Sequence, residues 1–454
     1  MKKLIGGFTV AAVLGLLVLC PFTANAQQDP YAFDEISFLA EETGFGARAL
    51  GMGGAYIGLA DDYSAIYWNP AGLGLLVRSQ FLVSMKHNSK NLEADFRSSM
   101  NDNSQSKTSL DAIGAAYVAD VARGSLVYAF GYNRVHNYNS LFGYAGMSNY
   151  ILSFDINDTP YDFEDLTLDE SIEEDGNLSQ FSIAAALEVA PNVFLGGTFN
   201  YWTGENNYTQ IFQEIDANDL YYVVPGDFDR DKVEYLTFSE LTGFDLMLGL
   251  TYQYSNYFRL GATLNIPRFI TIKEEWSESD KIIFDDDFVD EVADDGTFEY
   301  EVRLPFKFSF GGAYSINNLI LTGDVEFADW SQFRFRDDFP VGGYSKGDAN
   351  LNIKRTLDAT ITKRFGFEYI MPQQRTVIRG GFAHVPYPVK NADNKLDRKF
   401  ASFGFGFKFD ELTSFDIAYR RGWWESIYTN QYYGFEVPEK HVDNKIFATF
   451  SVKF

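Results

Sequence analysis

Lys445-Ile446-Phe447-Ala448-Thr449-Phe450-Ser451-Val452-Lys453-Phe454 is the stretch on which the fold turns. Ile446, Ala448, Phe450, Val452 and Phe454 fall on one face of an extended chain, and Lys445, Phe447, Thr449, Ser451 and Lys453 on the other. That period of two marks a strand with two unlike surroundings. It recurs upstream in Phe181, Ile183, Ala185, Leu187 and Val189; in Phe244, Leu246, Leu248, Leu250 and Tyr252; in Phe306, Phe308, Phe310, Gly312 and Tyr314; and in Phe403, Phe405, Phe407 and Phe409. A soluble sandwich could produce any one of these runs, so the connections between them carry the decision.

Strands are expected at 78–90, 109–119, 123–134, 178–189, 193–208, 241–254, 257–273, 300–315, 318–330, 355–369, 374–386, 398–409, 413–424 and 443–454. Tight turns such as Ala190-Pro191-Asn192, Tyr254-Ser255-Asn256 and Ile316-Asn317-Asn318 alternate with long polar links. A soluble antiparallel domain has no reason to segregate loop length so strictly. A barrel in the outer membrane does, because its periplasmic turns are short and its external loops long. The expected fold is therefore all-β, a transmembrane antiparallel β-barrel of about fourteen strands in the cell outer membrane with both termini periplasmic. The ending at Phe454 resembles the C-terminal signal read by the barrel assembly machinery, an expected partner together with outer-membrane lipid and lipopolysaccharide.

Composition agrees. The chain carries 43 Phe and 28 Tyr, yet its mean hydropathy is only −0.18, as alternation of lipid-facing and inward residues requires. With 63 acidic against 37 basic residues, it lacks the basic footprint that nucleic acid demands. Lys2 and Lys3, the apolar run Phe8 to Leu19 and Ala24-Asn25-Ala26 follow the grammar of a secretory signal, giving a signal peptide over 1–26. Cys20 follows Leu19, where a lipoprotein signal would place a small residue, so the mature chain is expected to start at Gln27 without cysteine. No apolar run reaches the roughly 20 residues of a spanning helix.

Residues 27–77 do not alternate. They are rich in Gly and Ala and suit a hatch, a plug packed inside the barrel of residues 78–454. The expected inward faces match: Ser182, Ala184 and Ala186; Met247, Gly249 and Thr251; Ser309, Gly311 and Ala313; Ser402, Gly404 and Gly406 are small and mostly uncharged. A general porin lines its channel with charge, so an open aqueous pore is not expected.

Gly46-Ala47-Arg48-Ala49-Leu50-Gly51-Met52-Gly53-Gly54-Ala55, Ala60-Asp61-Asp62 and Asn69-Pro70-Ala71-Gly72 resemble the N-terminal hatch of the FadL/TodX outer-membrane transporters. Leu304-Pro305 leading into Phe310-Gly311-Gly312-Ala313-Tyr314, then Asp329-Trp330-Ser331-Gln332-Phe333, Arg379-Gly380-Gly381-Phe382-Ala383 and Phe403-Gly404-Phe405-Gly406-Phe407 look like strands of that family in the same order. The resemblance implies a hatch-plugged barrel taking up long-chain fatty acids or other hydrophobic compounds, aromatic hydrocarbons among them, passively and with lateral release into the bilayer. The hatch wording, with Trp68-Asn69-Pro70-Ala71-Gly72-Leu73, also looks like the PorV/PorQ branch, whose members serve protein secretion and surface attachment. The strand matches favour transport.

Asn69, Pro70, Ala71 and Gly72 are thus the expected hatch motif, although Asn-Pro forms turns in any protein. Arg48, Lys307 and Arg379 are candidate partners for a ligand carboxylate, against the alternative that each is half of a lumenal salt bridge. Gly131 is a candidate kink for a lateral opening, or a packing glycine. Trp202, Trp276, Trp330, Trp423 and Trp424 are expected in an interfacial aromatic belt. The acid-rich stretches 155–175 and 285–295 belong in external loops and lack calcium-loop spacing. His87, His136, His384 and His441 are scattered without metal-ligand spacing, and no Gly-x-Ser-x-Gly elbow occurs. Neither metal, cofactor nor enzymatic activity is expected, and the protein should act as a monomer.

Overall fold

The computed structural model describes residues 39, 44–97, 99–156, 159–222, 227–338, 345–372 and 375–454. The signal over 1–26, Cys20, Gln27 and the hatch residues 27–38 and 40–43 lie outside the described residues. Fourteen antiparallel strands close into a barrel. The first, Gln80–Phe96, pairs with the second, Ser99–Val118, and with the last, Glu436–Lys453. The third runs Leu126–Asn137 and, after a break, Ser140–Met147. The fourth, fifth and sixth are Thr167–Ala190, Val193–Ile215 and Phe228–Ser255. The seventh (Phe258–Asn265, then Phe269–Phe284) and eighth (Val289–Arg303, then Lys307–Ile316) are also broken. Leu319–Asp329, Ala359–Ile370, Thr376–Val385, Arg398–Lys408 and Thr413–Thr429 complete the order.

The alternation inverts that of a soluble protein. Phe181 and Ile183 are 51% and 69% exposed, while Ser182, Ala184 and Ala186 on the opposite face are buried. Large apolar groups therefore face outward, to lipid, and small ones face in. No described helix is long and apolar enough to cross a membrane; this chain crosses with strands.

Three expectations need correction. The links anticipated as long loops are in large part strand: the ladder between first and second strands continues to Phe96–Ser99, and that between seventh and eighth to Ile283–Val289. Beyond the membrane both faces of a strand meet water or polar neighbours, so hydrophobic alternation fades although the backbone ladder persists. The acidic stretch 155–175 accordingly holds a small hairpin, Leu152–Ile156 with Thr159–Phe163, and the outer part of the fourth strand. Second, the seventh and eighth strands do not run unbroken through 257–273 and 300–315. Pro267 and Pro305 cannot donate to a ladder, and the two breaks lie side by side, with Leu304 N donating to Arg268 O at 2.9 Å. Third, of the five belt tryptophans Trp423 alone is exposed. Trp202 and Trp330 are buried, and Trp424 stacks on His441 with centroids 5.0 Å apart.

The link between ninth and tenth strands folds inward. Phe333, Phe335 and helix Lys346–Thr356, through Ala349 and Ile353, pack with Trp202, Ile270, Tyr300 and Leu304 of the walls. If the outward band faces hydrocarbon, Ile183→Arg should destabilise the barrel by about 2–4 kcal/mol; Glu205→Arg, beyond the band on the fifth strand, should change stability little. Reversible unfolding in lipid bilayers would measure both.

Candidate functional site

Residues 44–76 lie inside the barrel as short helices, Ala47–Gly51 and Ala65–Trp68, a 3-10 turn Pro70–Leu75 and tight turns. Small residues explain how backbone can meet wall so closely. A Cβ on Gly196 would stand 2.4 Å from Pro70 C, on Gly261 2.1 Å from Ile57 O, and on Gly381 2.1 Å from Met52 C. Asn69 joins hatch to wall. Its Oδ1 accepts from Ala71 N at 3.2 Å, capping the turn that Pro70 begins, and its Nδ2 lies 2.9–3.1 Å from Ile57 O, Leu250 O and Thr251 Oγ1. Gly72 sits where any Cβ would strike Ala60 O.

A chain of ion pairs fixes the opposite side. Arg48 donates to both oxygens of Glu368 at 2.9 and 3.0 Å and to Asp61 at 2.5 Å. Arg259 meets the second Asp61 oxygen at 2.9 Å. Arg379 donates to Glu368 at 2.7 Å and Asp416 at 2.6 Å. Burial pushes the Asp61 carboxyl up, but the guanidiniums of Arg48 and Arg259 outweigh it and hold the group below the usual carboxylate range.

Above the hatch lies a cavity of about 180 Å³, floored by Gly53, Gly54, Ile57, Tyr67 and Trp68. Its walls carry Arg268, Lys307, Arg364, Arg398 and Arg420 against Asp245 and Glu326. The cations lie on aromatic rings: Arg268 is 3.5 Å from the Trp202 centroid, Arg420 4.1 Å from Phe400, and Lys307 5.8 Å from Trp330. Arg268 also binds Asp245 at 2.9 Å, and Arg364 binds Glu326 at 3.1 Å. Such walls suit a mostly apolar body with an anionic group.

Of the residues singled out from sequence, Lys307 reaches the cavity. Arg48 and Arg379 stand in the ion-pair chain, and Asn69, Pro70, Ala71 and Gly72 at the hatch-to-wall contact. Gly131 pairs in unbroken register with Gly114 and Ser182, and both glycines make room for the Tyr63 hydroxyl. The ladder fails a little further out. Second and third strands pair only from Val118–Val127 to Ala112–Asn133, and a bulge follows between Arg134 and His136. Sequence reasoning missed Arg364 and Arg420, which inward parity would have found, and Arg268, which sits in a strand break where parity ends.

The histidines stay apart from one another. His441 Nε2 is 2.6 Å from Ser426 Oγ and 2.8 Å from Glu439 Oε2, but one nitrogen serves both, unlike a nucleophile–base–orienter relay. Among the described residues no group of three or more His, Cys, Asp or Glu is placed to hold a metal.

Residues 38–444 match the family model described as outer membrane protein transport protein (OMPP1/FadL/TodX). No curated protein sequence matches the chain. Among solved structures, the Pseudomonas putida toluene transporter TodX superposes with a TM-score of 0.58 at 15% identity, covering 90% of this chain and 99% of that one. A Pseudomonas aeruginosa FadL homologue gives 0.58 at 14% identity, with 90% and 97% covered. The Ralstonia pickettii toluene transporter TbuX gives 0.55 at 14%, with 90% and 98% covered.

Two outcomes follow from the hatch contacts. Asn69→Ala should cost about 1–3 kcal/mol of hatch docking by leaving buried carbonyls unmatched, read as faster cleavage of residues 44–76 by an added protease. Because Asp61 is held below its ordinary value, its contribution is present above the unfolded-state pKa, about 3.9 for Asp. It is lost as pH falls through the lower folded-state value. A spin label on the hatch should therefore stay immobile at neutral pH and loosen only under strong acid.

Proposed function

Since the chain belongs to the OMPP1/FadL/TodX family and is an outer-membrane barrel that transports hydrophobic compounds rather than an enzyme, we propose that its substrates are long-chain fatty acids, taken up passively. The observation carrying this reading is the cation-rich, aromatic-backed cavity inside a chain of net charge −26. From such a wall an alkane gains nothing and an aromatic ring at most a cation–π contact, whereas a carboxylate gains charge-assisted hydrogen bonds even with Arg268 and Arg364 held by Asp245 and Glu326. Lys307, at the outer end of the eighth strand's inner segment beside the break at Pro305, is the proposed carboxylate partner; Arg48 and Arg379 already hold Asp61, Glu368 and Asp416, so their proposed part is to keep the hatch closed.

The proposed exit is lateral, through the seam outward of Ala112 and Asn133, where the second strand pairs with the first but no longer with the third. Withdrawal from water favours an acyl chain by about 0.8 kcal/mol per CH₂, so lipid is the downhill destination. This seam, rather than Gly131, takes the role of the lateral gap.

Titrating the purified barrel with a labelled long-chain fatty acid and with its methyl ester tests the reading. Wild type should prefer the acid, and Lys307→Gln should weaken acid binding about tenfold, a loss of about 1.4 kcal/mol, leaving the ester unchanged. Equal affinity for acid and ester, or preferential binding of toluene, would replace the fatty acid by a neutral hydrocarbon.

A further inference from the structure

The seam that the proposed exit uses is not apolar. Outward of Asn133 the third strand stays paired with the fourth but no longer with the second, and its outer segment packs through Phe142 and Tyr144 on Ala94 and Phe96 of the first strand. Lys86 and Lys90 of the first strand reach past the second to Arg134 O and Asn137 O, each at 3.4 Å. Facing them are Asn88, Ser109, Asn133, Asn137 and Asn139, all more than nine-tenths buried. Asn88 Oδ1, Ser109 Oγ, Asn133 Nδ2, both polar side-chain atoms of Asn137 and Asn139 Oδ1 have no hydrogen-bond partner among the described residues.

Buried polar atoms are matched almost everywhere in folded proteins, because each unmatched one forfeits its hydration with nothing in return. A concentration of them at one seam is a standing cost, and it points to something that pairs with them. The pattern of valences narrows the chemistry. Unmatched donors (Asn133, Asn137 and Arg134 Nε) stand among unmatched acceptors (Asn88, Asn137, Asn139 and, further out on the second strand, Gln105 Oε1). A carboxylate only accepts and an ammonium only donates, so either would leave half the set unmatched. A hydroxyl does both.

We infer that this seam is a binding subsite for the hydroxyl-bearing head of an amphiphile, placed beside the lateral gap. The inference rests on the lateral route proposed above. It enlarges the substrate class: acyl compounds with a glycerol or other hydroxylated head bind here, with the acyl chain directed toward the gap. The fatty-acid carboxylate, by contrast, is held by the cationic cavity at Lys307.

The test uses the full-length barrel in mild detergent and three ligands with one acyl chain: 1-decanoylglycerol, methyl decanoate and decanoate. Wild type should bind the glycerol ester at least about tenfold more tightly than the methyl ester, the discrimination expected when a site built for hydroxyls loses them. Asn133→Leu and Asn88→Leu, tested separately, should abolish that preference while keeping or raising the thermal midpoint of the unliganded barrel, since each removes an unmatched polar atom. Equal affinity of wild type for the two esters, as when ordered water alone fills the seam, overturns the inference; so does a preference that survives both substitutions. If decanoate binds and the esters are not distinguished, only this subsite fails. If neither decanoate nor either ester binds, the fatty-acid transport reading fails with it.

Discussion

Hydrocarbon offers no hydrogen bonds, so every backbone N–H and C=O within it must find a partner in the chain itself. The ladder joining Gln80–Ala94 to Lys453–Glu439 meets that demand by closing the sheet and removing its edges. Once the wall is closed, outward positions must be apolar, and inward positions are released from that requirement. Hence Ser182, Ala184 and Ala186 can be small and the cavity lining can be charged. The chain's acidity also takes on geometry: its net charge of −26 stands with a cavity lined by five cations and two acids.

A closed wall of this size leaves a lumen that side chains alone do not fill. The hatch fills it with backbone, which is why the complementary residues are glycines at Gly196, Gly261, Gly366 and Gly381 rather than a set of interlocking side chains. Contacts of that sort hold position through shape, while the ion pairs among Arg48, Asp61, Glu368, Arg379 and Asp416 add orientation. Buried ion pairs contribute little net stability once desolvation is counted, but losing one partner leaves an uncompensated charge. The network therefore discriminates strongly between a seated and a displaced hatch.

Much of this was legible in the sequence because a strand's period is a whole number. The alternation through Phe181–Val189 and Phe403–Phe409 gave strand count and inward parity directly, and Asn69-Pro70 marked the hatch turn. What escaped detection shares a physical cause. Outside the membrane the two faces of a strand no longer differ in polarity, so the outer halves of the first, second and sixth strands left no periodic trace. Breaks reset parity, which hid Arg268 after Pro267. Trp202 was assigned to the belt from its distance along the strand, although its exposed neighbour Tyr201 shares the outward face with Phe199 and so puts Trp202 inside.

Closure also constrains where a solute can leave. Parting two fully paired strands would expose two rows of backbone groups to lipid, a cost of several kcal/mol for each unmatched group. No acyl chain of ordinary length repays a loss on that scale at about 0.8 kcal/mol per CH₂. A lateral route is therefore affordable only where pairing is already interrupted. Of the interruptions described, the paired breaks at Pro267 and Pro305 are roofed by the inward link through Phe333 and Ile353. Between Ala112 and Asn133 the second strand loses its partner on one side while its inner face stays lined with polar groups. Thus the same rule that forces the wall to close singles out the seam at the third strand as the place where opening costs least.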